Sequence, residues 1–431
     1  MDSKNCIMKS ILKIGISVLL SFLSFLAFGA SDKFSKTQIL SDAAYLDSLI
    51  RAVHPDPFYR ISEKEYEALK SRSLQSLGDS CDLVEAFKTL APVLACLRDS
   101  HSSMDISADP WIGYARAGGK LFPLVTRIME KRVWLEYDCS NGHSFPESTE
   151  LLSINDLPTA DLMERILEWY PIEEDPDIFY DYIARELYVH LFYLDVLKND
   201  RLRLTLRQGD RIEAYETNLV SFSAIRDHLY GQQRPVFQYT IGGADTAKVR
   251  VGSFMPTEAY FHFLDSVFMD IQRVTPRFLV IDVRGNAGGS SSAVDALISY
   301  LYPDSFSIYS HIDLKVSEGV KERYEKRPEY AFVMDQPVGT LIEQPVEWKM
   351  SDRPNIYSGP LEVWLDGATN SGAASFSSWI SRTGRGCLVG KIGYPPVYFG
   401  DFLIFKLPNT GLTFNISTKK FMNYINVDDK K

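Results

Sequence analysis

The pattern of apolar and polar positions divides the chain into regions with different periods. In the first region, 31–105, apolar residues recur at helical spacing, as in LVEAFKTLAPVLACL, and the region ends in the turn RDSHSSM. The second region, 120–235, holds short stretches such as LFPLVTRI and RVWLEYD, and LRLTLRQGDRIEAYETNLV is typical of a hairpin that turns at Gly209. These patterns predict an N-terminal helical segment followed by a small β-rich domain.

Strand and helix patterns alternate over the last region, 236–431. Such alternation implies crossover connections and a largely parallel sheet, so we expect an α/β fold. Ligands on these sheets bind at the carboxyl ends of the strands. Two apolar runs end there in small-residue loops, within LVIDVRGNAGG at 279–289 and before DGATNSGAASF at 366–376. The Pro- and Tyr-rich insertion 303–360 is expected to cover or line the cleft between them.

The net charge and the N-terminal residues restrict the possible partners and the compartment of the protein. The net charge of −10 argues against nucleic acid and anionic membranes as partners. Residues 1–30 combine early lysines with the uncharged run IGISVLLSFLSFLAFGA, which predicts a secretory signal peptide cleaved after Gly29 or Ala30. An uncleaved anchor helix is the alternative, and the run is short for one. We therefore expect an exported protein without an integral membrane domain after cleavage.

Four cysteines follow the predicted signal peptide: Cys81, Cys96, Cys139 and Cys387. An exported chain permits disulfides, and four cysteines allow three pairings, but buried free thiols are an equally open reading. Cys81 and Cys96 flank one predicted helix, whose ends lie too far apart for a bond between them. No CxxC or HxxxH spacing is present, so we predict no metal and no other cofactor.

Ser371 is the first residue with candidate chemistry, because it follows a predicted strand and begins a predicted helix. Its hydroxyl and the next backbone N–H groups would lie at the positive end of that helix, which favours a developing oxyanion. A serine that only caps the helix would occupy the same position, so both readings stay open. Gly288 and Gly289 would supply a further oxyanion-hole N–H, or form a phosphate-binding turn or a tight connection. The Lys-Ser/Thr pair of a P-loop is absent, which disfavours nucleotide binding.

A serine nucleophile needs a base, and His101 is the candidate among the seven histidines. It lies between polar residues in a turn directly after a predicted helix. A histidine on a surface loop would give the same pattern, so the sequence pattern alone does not assign it.

Several motifs, in order and at matching intervals, resemble the S41 serine peptidases. IDVRGNAGG is similar to their IDLRxNxGG element, DGATNSGAASF to their DxxTxSAAE nucleophile segment, and LVGKIGY to the LVGExT strand that follows. KLPNTGLTFNIS, VHPDPFY and RDSHSSM resemble segments of the Bacteroidetes-type branch, and ELLSINDLP resembles the ILSINGxP element of the family's PDZ-like domain. The resemblance implies a ClpP/crotonase-like β-α catalytic core over 236–431 and a PDZ-like domain over 120–235.

The resemblance also implies roles for individual residues. Ser371 would be the nucleophile, and Gly372 with Gly288 or Gly289 would form the oxyanion hole. The lysine of the tail-specific (C-terminal processing) branch falls on Pro396, which excludes a Ser-Lys dyad. The tricorn-like branch instead uses a histidine preceded by serine, and Ser100 with His101 matches that pair.

The sequence departs from the family pattern at the acid of the site and in the nucleophile segment. The tricorn-like branch has a late glutamate, whereas no glutamate follows Glu362 here and the late acids are Asp401, Asp428 and Asp429. The nucleophile segment also has Ala374 where the family has glutamate, and Gly372 where alanine is usual. Two functions therefore remain open. One is an exported serine peptidase of a Gram-negative periplasm, cell envelope or extracellular space that acts on peptides or proteins. The other is a catalytically impaired protein that binds peptides or other ligands on the same scaffold.

Overall fold

The computed structural model describes residues 33–173, 176–231, 234–390 and 397–423. The predicted signal peptide, the lysine position at Pro396 and the two last aspartates lie outside these ranges. The N-terminal segment contains β1 (Phe34–Ser35), α1 (Lys36–Val53), α2 (Glu63–Gln75), β2 (Ser80–Cys81), α3 (Leu83–Ala95) and α4 (Asp109–Arg116). Helices α1, α2 and α3 each begin at a capping box, in which the N-cap side chain and the third helical residue satisfy each other's backbone N–H groups.

The middle region is an antiparallel sheet covered by helices. Its elements are β3 (Leu124–Met129), β4 (Arg132–Asp138), β5 (His143–Ser144), β6 (Thr149–Ile154), β7 (Leu157–Pro158), α5 (Thr159–Leu167), α6 (Asp177–Arg185), α7 (Leu187–Tyr193), β8 (Arg201–Gln208), β9 (Arg211–Asn218) and α8 (Phe222–Tyr230). The main strand order is β3-β4-β6-β8-β9. The β8–β9 hairpin turns at Gly209, as predicted, where φ is 59°. One hydrophobic core joins this sheet to the N-terminal helices, with Phe87, Ile166 and Leu204 all buried in it.

The last region alternates strands and helices, as predicted. It contains β10 (Phe237–Gly242), β11 (Thr246–Val251), α9 (Glu258–Val274), β12 (Phe278–Asp282), α10 (Ser291–Ile298), β13 (Tyr309–Lys315), α11 (Glu318–Tyr324), a 3₁₀ turn (Pro328–Tyr330), α12 (Ala331–Met334), β14 (Leu341–Glu343), β15 (Leu361–Trp364), α13 (Ser371–Arg382), β16 (Cys387–Val389), β17 (Val397–Lys406) and β18 (Thr413–Asn423). Strands run in the order β10-β11-β12-β15-β16, and all neighbours from β11 to β16 are parallel. Alternate residues such as Val249, Ile281 and Val363 are fully buried in a core shared with α9, α10 and α13.

A second, antiparallel sheet stands beside the first, in the order β14-β13-β18-β17. It joins the insertion to the C-terminal hairpin, and the N-terminal segment is attached to it. The N–H of Asp105 donates to Thr413 at 2.9 Å, and the N–H of Asn415 donates to Ser103 at 2.8 Å. The turn that carries His101 is thereby fixed against β18, although more than three hundred residues separate the two in sequence.

The structure also bears on membrane-spanning helices and on the state of the cysteines. Among the helices of the described ranges, none is long and apolar enough to cross a membrane. Cys81, Cys96, Cys139 and Cys387 are all free thiols. Cys81 and Cys96 flank α3, as expected, so the helix keeps them apart.

Candidate active site

Ser371 lies on a sharp turn between β15 and α13. Its φ is 49°, in the left-handed region that residues with a side chain rarely adopt. The side chain of Asn370 accepts the N–H of Ser371 at 2.7 Å, and Asn370 is the N-cap of α13. The alternative interpretation of Ser371 as a capping serine is therefore wrong, because Asn370 caps the helix. A strained strand-to-helix turn that exposes a serine hydroxyl is the geometry of a nucleophile elbow.

The loops after β12 and β15 are tied to each other by polar contacts. The side chain of Asn286 is fully buried and donates to the Val251 carbonyl at 2.9 Å, while its backbone carbonyl accepts the N–H of Asn370 at 3.0 Å. Thr369 Oγ1 donates to the Val283 carbonyl at 3.2 Å. These bonds hold the glycines of the first loop against Ser371.

Backbone N–H groups with free hydrogens converge beside Ser371. A Cβ added at Gly288 would lie 2.5 Å from Ser371 Cβ and 2.8 Å from the Gly372 nitrogen, so only glycine fits there. The N–H of Gly288 donates to Asn286 Oδ1 at 2.8 Å and is occupied. Within the described residues, the N–H groups of Gly289 and Gly372 have no hydrogen-bond partner. The sequence left Gly288 and Gly289 as equal alternatives, and the hydrogen bonds favour Gly289 as the donor next to Gly372.

Buried polar groups fix the turn that carries His101. Asp99 is fully buried and accepts the backbone N–H of His101 at 3.0 Å and the hydroxyl of Ser102. His54 Nε2 lies 3.2 Å from the same carboxylate, and His54 Nδ1 accepts the N–H of Asp56 at 3.1 Å. Because Nδ1 accepts, Nε2 carries the proton and donates to Asp99. Burial alone would raise the pKa of Asp99, but the hydrogen bonds from His54 and Ser102 hold it below its usual range.

Residues of β17 contact both the His101 ring and the helix that begins at Ser371. A Cβ added at Gly400 would lie 3.8 Å from the His101 ring, and the Tyr398 ring is centred 6.4 Å from it. The hydroxyls of Tyr398 and Ser375 lie 2.8 Å apart, and Ser375 donates to the Ser371 carbonyl at 3.2 Å. No hydrogen bond joins the Ser371 hydroxyl to His101 in the described parts of the chain. Catalytic hydrogen bonds are often long without substrate and tighten when it binds.

A serine and a glutamate stand behind the His101 ring. Ser100 Oγ lies 3.3 Å from His101 Nδ1 and donates to Glu173 Oε1 at 2.9 Å. The backbone N–H of Ser100 reaches the same oxygen at 3.0 Å. Arg60 lies 3.3 Å from the other oxygen of Glu173, whose side chain is 5 % exposed. The sequence patterns did not single out Glu173.

The surroundings shift the protonation of both titratable groups. Burial lowers the pKa of His101 below its usual value, against the opposite influence of Asp99 and Asp401. Burial also raises the pKa of Glu173 to about 7, although Arg60 opposes this. His101 is therefore a neutral imidazole at neutral pH, whereas Glu173 is divided between its two forms.

A cleft of about 660 Å³ has Ser371, Gly372 and Gly289 in its walls. The insertion 303–360 lines it, as predicted, with Tyr324 and Tyr330 among the contributing residues. The acid of the C-terminal hairpin that faces it is Asp401, which pairs with Arg323 at 2.9 Å and Lys419 at 2.7 Å. The described residues contain no group of three or more His, Cys, Asp or Glu placed to hold a metal ion.

Part of the chain matches a known peptidase family in sequence, and the fold is similar to that of solved structures. The family model described as "Peptidase family S41" matches residues 245–421. No curated protein matches the sequence. The fold is similar to the crystal structure of mature CPAF, with a TM-score of 0.61, 13 % identity, and coverage of 91 % of this chain and 92 % of that chain. The fold is also similar to the structure of mature CPAF complexed with lactacystin, with a TM-score of 0.59 and 13 % identity. That match covers 91 % of this chain and 92 % of that chain. The match to the photosystem II D1 C-terminal processing protease has a TM-score of 0.44 and 12 % identity. It covers 90 % of this chain and 88 % of that chain.

Proposed function

Since residues 245–421 of this chain belong to peptidase family S41, a family of serine-type peptidases, we propose that the protein hydrolyses peptide bonds through an acyl-enzyme on Ser371 with His101 as general base. The observation that carries the proposal is the turn at Ser371. Its left-handed backbone places Ser371 in the wall of a cleft, beside the N–H groups of Gly289 and Gly372, which have no hydrogen-bond partner in the part of the chain that the structure describes.

Each proposed step has a residue at hand. His101 Nε2 takes the proton from Ser371 Oγ as this oxygen attacks the peptide carbonyl. The N–H groups of Gly289 and Gly372 stabilise the oxyanion, and the positive end of α13 adds to this effect. His101 then returns the proton to the leaving amine, and a water molecule releases the acyl group by the reverse sequence. Because burial keeps His101 neutral, the base is ready at neutral pH.

The finer setting is part of the same proposal. The signal-peptide pattern of residues 1–30 supports export, to a Gram-negative periplasm, cell envelope or extracellular space. The PDZ-like resemblance of 120–235 supports a role in presenting peptides, in which an extended chain pairs with a strand edge. N-terminal sequencing of the protein recovered from the secreting cell tests the first point, and the expected first residue is Ala30 or Ser31.

A fluorophosphonate probe tests the nucleophile, because only an activated serine reacts with it. We expect one adduct, on Ser371, and mass spectrometry of the digested protein locates it. Ser371→Ala should abolish labelling, and His101→Ala should slow it by about 10²-fold or more. Ser381→Ala is the matched control, because Ser381 is an exposed serine at the far end of the same helix.

A non-catalytic binding protein is the second candidate. The missing hydrogen bond between Ser371 and His101 favours it, together with the departures from the family's nucleophile segment. Lack of labelling in a folded wild-type protein, at any pH from about 5 to 9, would establish this second reading and refute the peptidase.

A further inference from the structure

We propose that Glu173 is the acid that positions His101, and that it acts through the hydroxyl of Ser100. The proposal rests on the proposed peptidase function, because positioning matters only if His101 is the base. The resemblance to known peptidases gives this role to a glutamate late in the chain. Here the carboxylate comes from the connection between α5 and α6 of the middle region.

The directions of the hydrogen bonds from Ser100 and His101 determine which nitrogen of His101 carries the hydrogen. An ionised carboxylate can only accept, so Ser100 must donate its hydroxyl hydrogen to Glu173 across the 2.9 Å contact. The Ser100 oxygen is then free to accept, and the atom that faces it at 3.3 Å is His101 Nδ1. This places the imidazole hydrogen on Nδ1 and leaves the lone pair on Nε2. That tautomer is the one that can take a proton from a serine hydroxyl.

The surroundings of Glu173 keep its carboxylate in place. Its Oε1 accepts both the N–H and the hydroxyl of Ser100, while Arg60 contacts Oε2. Arg60 also donates to the carbonyls of Arg98 and Val397, so one guanidinium joins the His101 turn, Glu173 and the start of β17. A side chain held from three directions is a positioning group rather than a mobile surface acid.

The charges around both groups define a pH dependence. Glu173 is faced by Arg60 and Asp99, and His101 by Asp99 and Asp401. Glu173 also lines a second cavity of about 1030 Å³, so its proton can exchange with solvent. The charged residues of that cavity are Arg72, Glu85, Lys88, Arg98 and Glu168.

Protonation of Glu173 undoes the arrangement. A protonated carboxyl can donate to Ser100, whose own hydrogen is then free to point toward His101 Nδ1 and select the wrong tautomer. Since the pKa of Glu173 is raised to about 7 and that of His101 is lowered, the rate should rise as pH increases through about 7. We assign this rising limb of the pH–rate profile to Glu173, because His101 is already neutral near pH 7.

Glu173→Gln tests the role with nearly unchanged shape. Its amide can donate to Ser100, as the protonated acid does. We expect the fluorophosphonate labelling rate at pH 8 to fall by about 10²-fold or more. The limb near pH 7 should vanish, leaving only the limb of His101 at lower pH. Glu168→Gln, which changes an exposed glutamate of the same cavity, should leave both the rate and the profile unchanged.

A double-mutant cycle separates positioning from a structural effect. If Glu173 acts through Ser100, then Glu173→Gln added to Ser100→Ala should cost little beyond Ser100→Ala alone, because the path is already broken. Additive losses, or a Glu173→Gln profile that keeps the limb near pH 7, would overturn the proposal. A wild-type protein that does not label at Ser371 would instead refute the peptidase function itself. Circular dichroism and urea unfolding confirm that each variant is folded before its rate is compared.

Discussion

Gly288→Ala is the substitution whose effect the structure defines most directly. The added Cβ would lie 2.5 Å from Ser371 Cβ and 2.9 Å from the Asn370 carbonyl oxygen. Carbon atoms in contact prefer about 3.5–4.0 Å, so the nucleophile turn must move by about 1 Å to make room. The backbone adds to the cost, because φ at Gly288 is 103°.

These two terms set the expected magnitude. A left-handed backbone costs a residue with a side chain about 1–2 kcal/mol, and overpacking a tight site costs about 1–3 kcal/mol. We therefore expect Gly288→Ala to lower the free energy of unfolding by about 2–5 kcal/mol. A displacement of about 1 Å at a reacting atom costs about 10²-fold in rate, so labelling of Ser371 should fall at least that far.

Gly285→Ala separates crowding from backbone strain. Gly285 lies in the same loop with φ of 73°, but its nearest atom to an added Cβ is a terminal nitrogen of Arg250 at 3.9 Å. It should lose about 1–2 kcal/mol of stability and label within a few-fold of wild type. Urea unfolding and the fluorophosphonate rate are measured on both variants. A folded Gly288→Ala protein that labels like wild type would refute the contact between Gly288 and Ser371 on which the reasoning depends.

Two further predictions concern the buried acids that hold the N-terminal segment in place. Asp42 is fully buried and accepts four hydrogen bonds from Asn409 and Thr410, so Asp42→Ala should lower the free energy of unfolding in urea by about 3 kcal/mol or more. Asp99→Asn should cost about 2–4 kcal/mol at neutral pH, because it weakens the buried contact with His54. The folded pKa of Asp99 is depressed, so its ionised form stabilises the fold above about pH 4 and this contribution is lost as pH falls further. The difference between wild type and Asp99→Asn should therefore be constant from about pH 7 to 5 and shrink below about pH 4.

A control variant or a contradicting outcome tests each of these two predictions. Asn409→Ala removes one donor of a partly exposed residue and should cost less than Asp42→Ala, since both Thr410 donors keep their partner. Equal losses in the two variants would mean that the hydrogen bonds from Thr410 to Asp42 contribute little. For Asp99, a difference that persists unchanged at low pH would show that packing, and not charge, accounts for the loss.

Local patterns predicted most of the elements, because each depends on residues near in sequence. The capping box at Ser62 and Glu65, for example, joins two residues that lie within one helical turn. The turn at Gly209 and the strands on either side of it also followed from local signals. The loop that carries Ser371 was predictable for the same reason, as small residues and a strand-to-helix transition stand together in the sequence.

Contacts between distant segments could not be predicted from pattern. Glu173 stands in IEEDPD, a run of acids typical of a solvated loop, yet its partner Ser100 is 73 residues away. The second sheet pairs β13 with β18, which are separated by about a hundred residues and by the first sheet's last strands. The choice between Gly288 and Gly289 depended on Asn286, whose side chain occupies one N–H and leaves the other free. Nothing in a glycine pair encodes that choice.

The charges around the cleft explain why a histidine, and not a lysine, is the base that we propose. Lys419 lines the same cleft as Ser371, but its ammonium lies 2.7 Å from Asp401 and within 5.4 Å of the Tyr324 ring centre. An ion-paired ammonium has no lone pair with which to accept a proton. Lys419 and Arg323 instead pair with Asp401, whose charge opposes the lowering of the His101 pKa by burial. Burial lowers the pKa of His101 in spite of that charge, so the imidazole is neutral and has the lone pair that the paired lysine lacks.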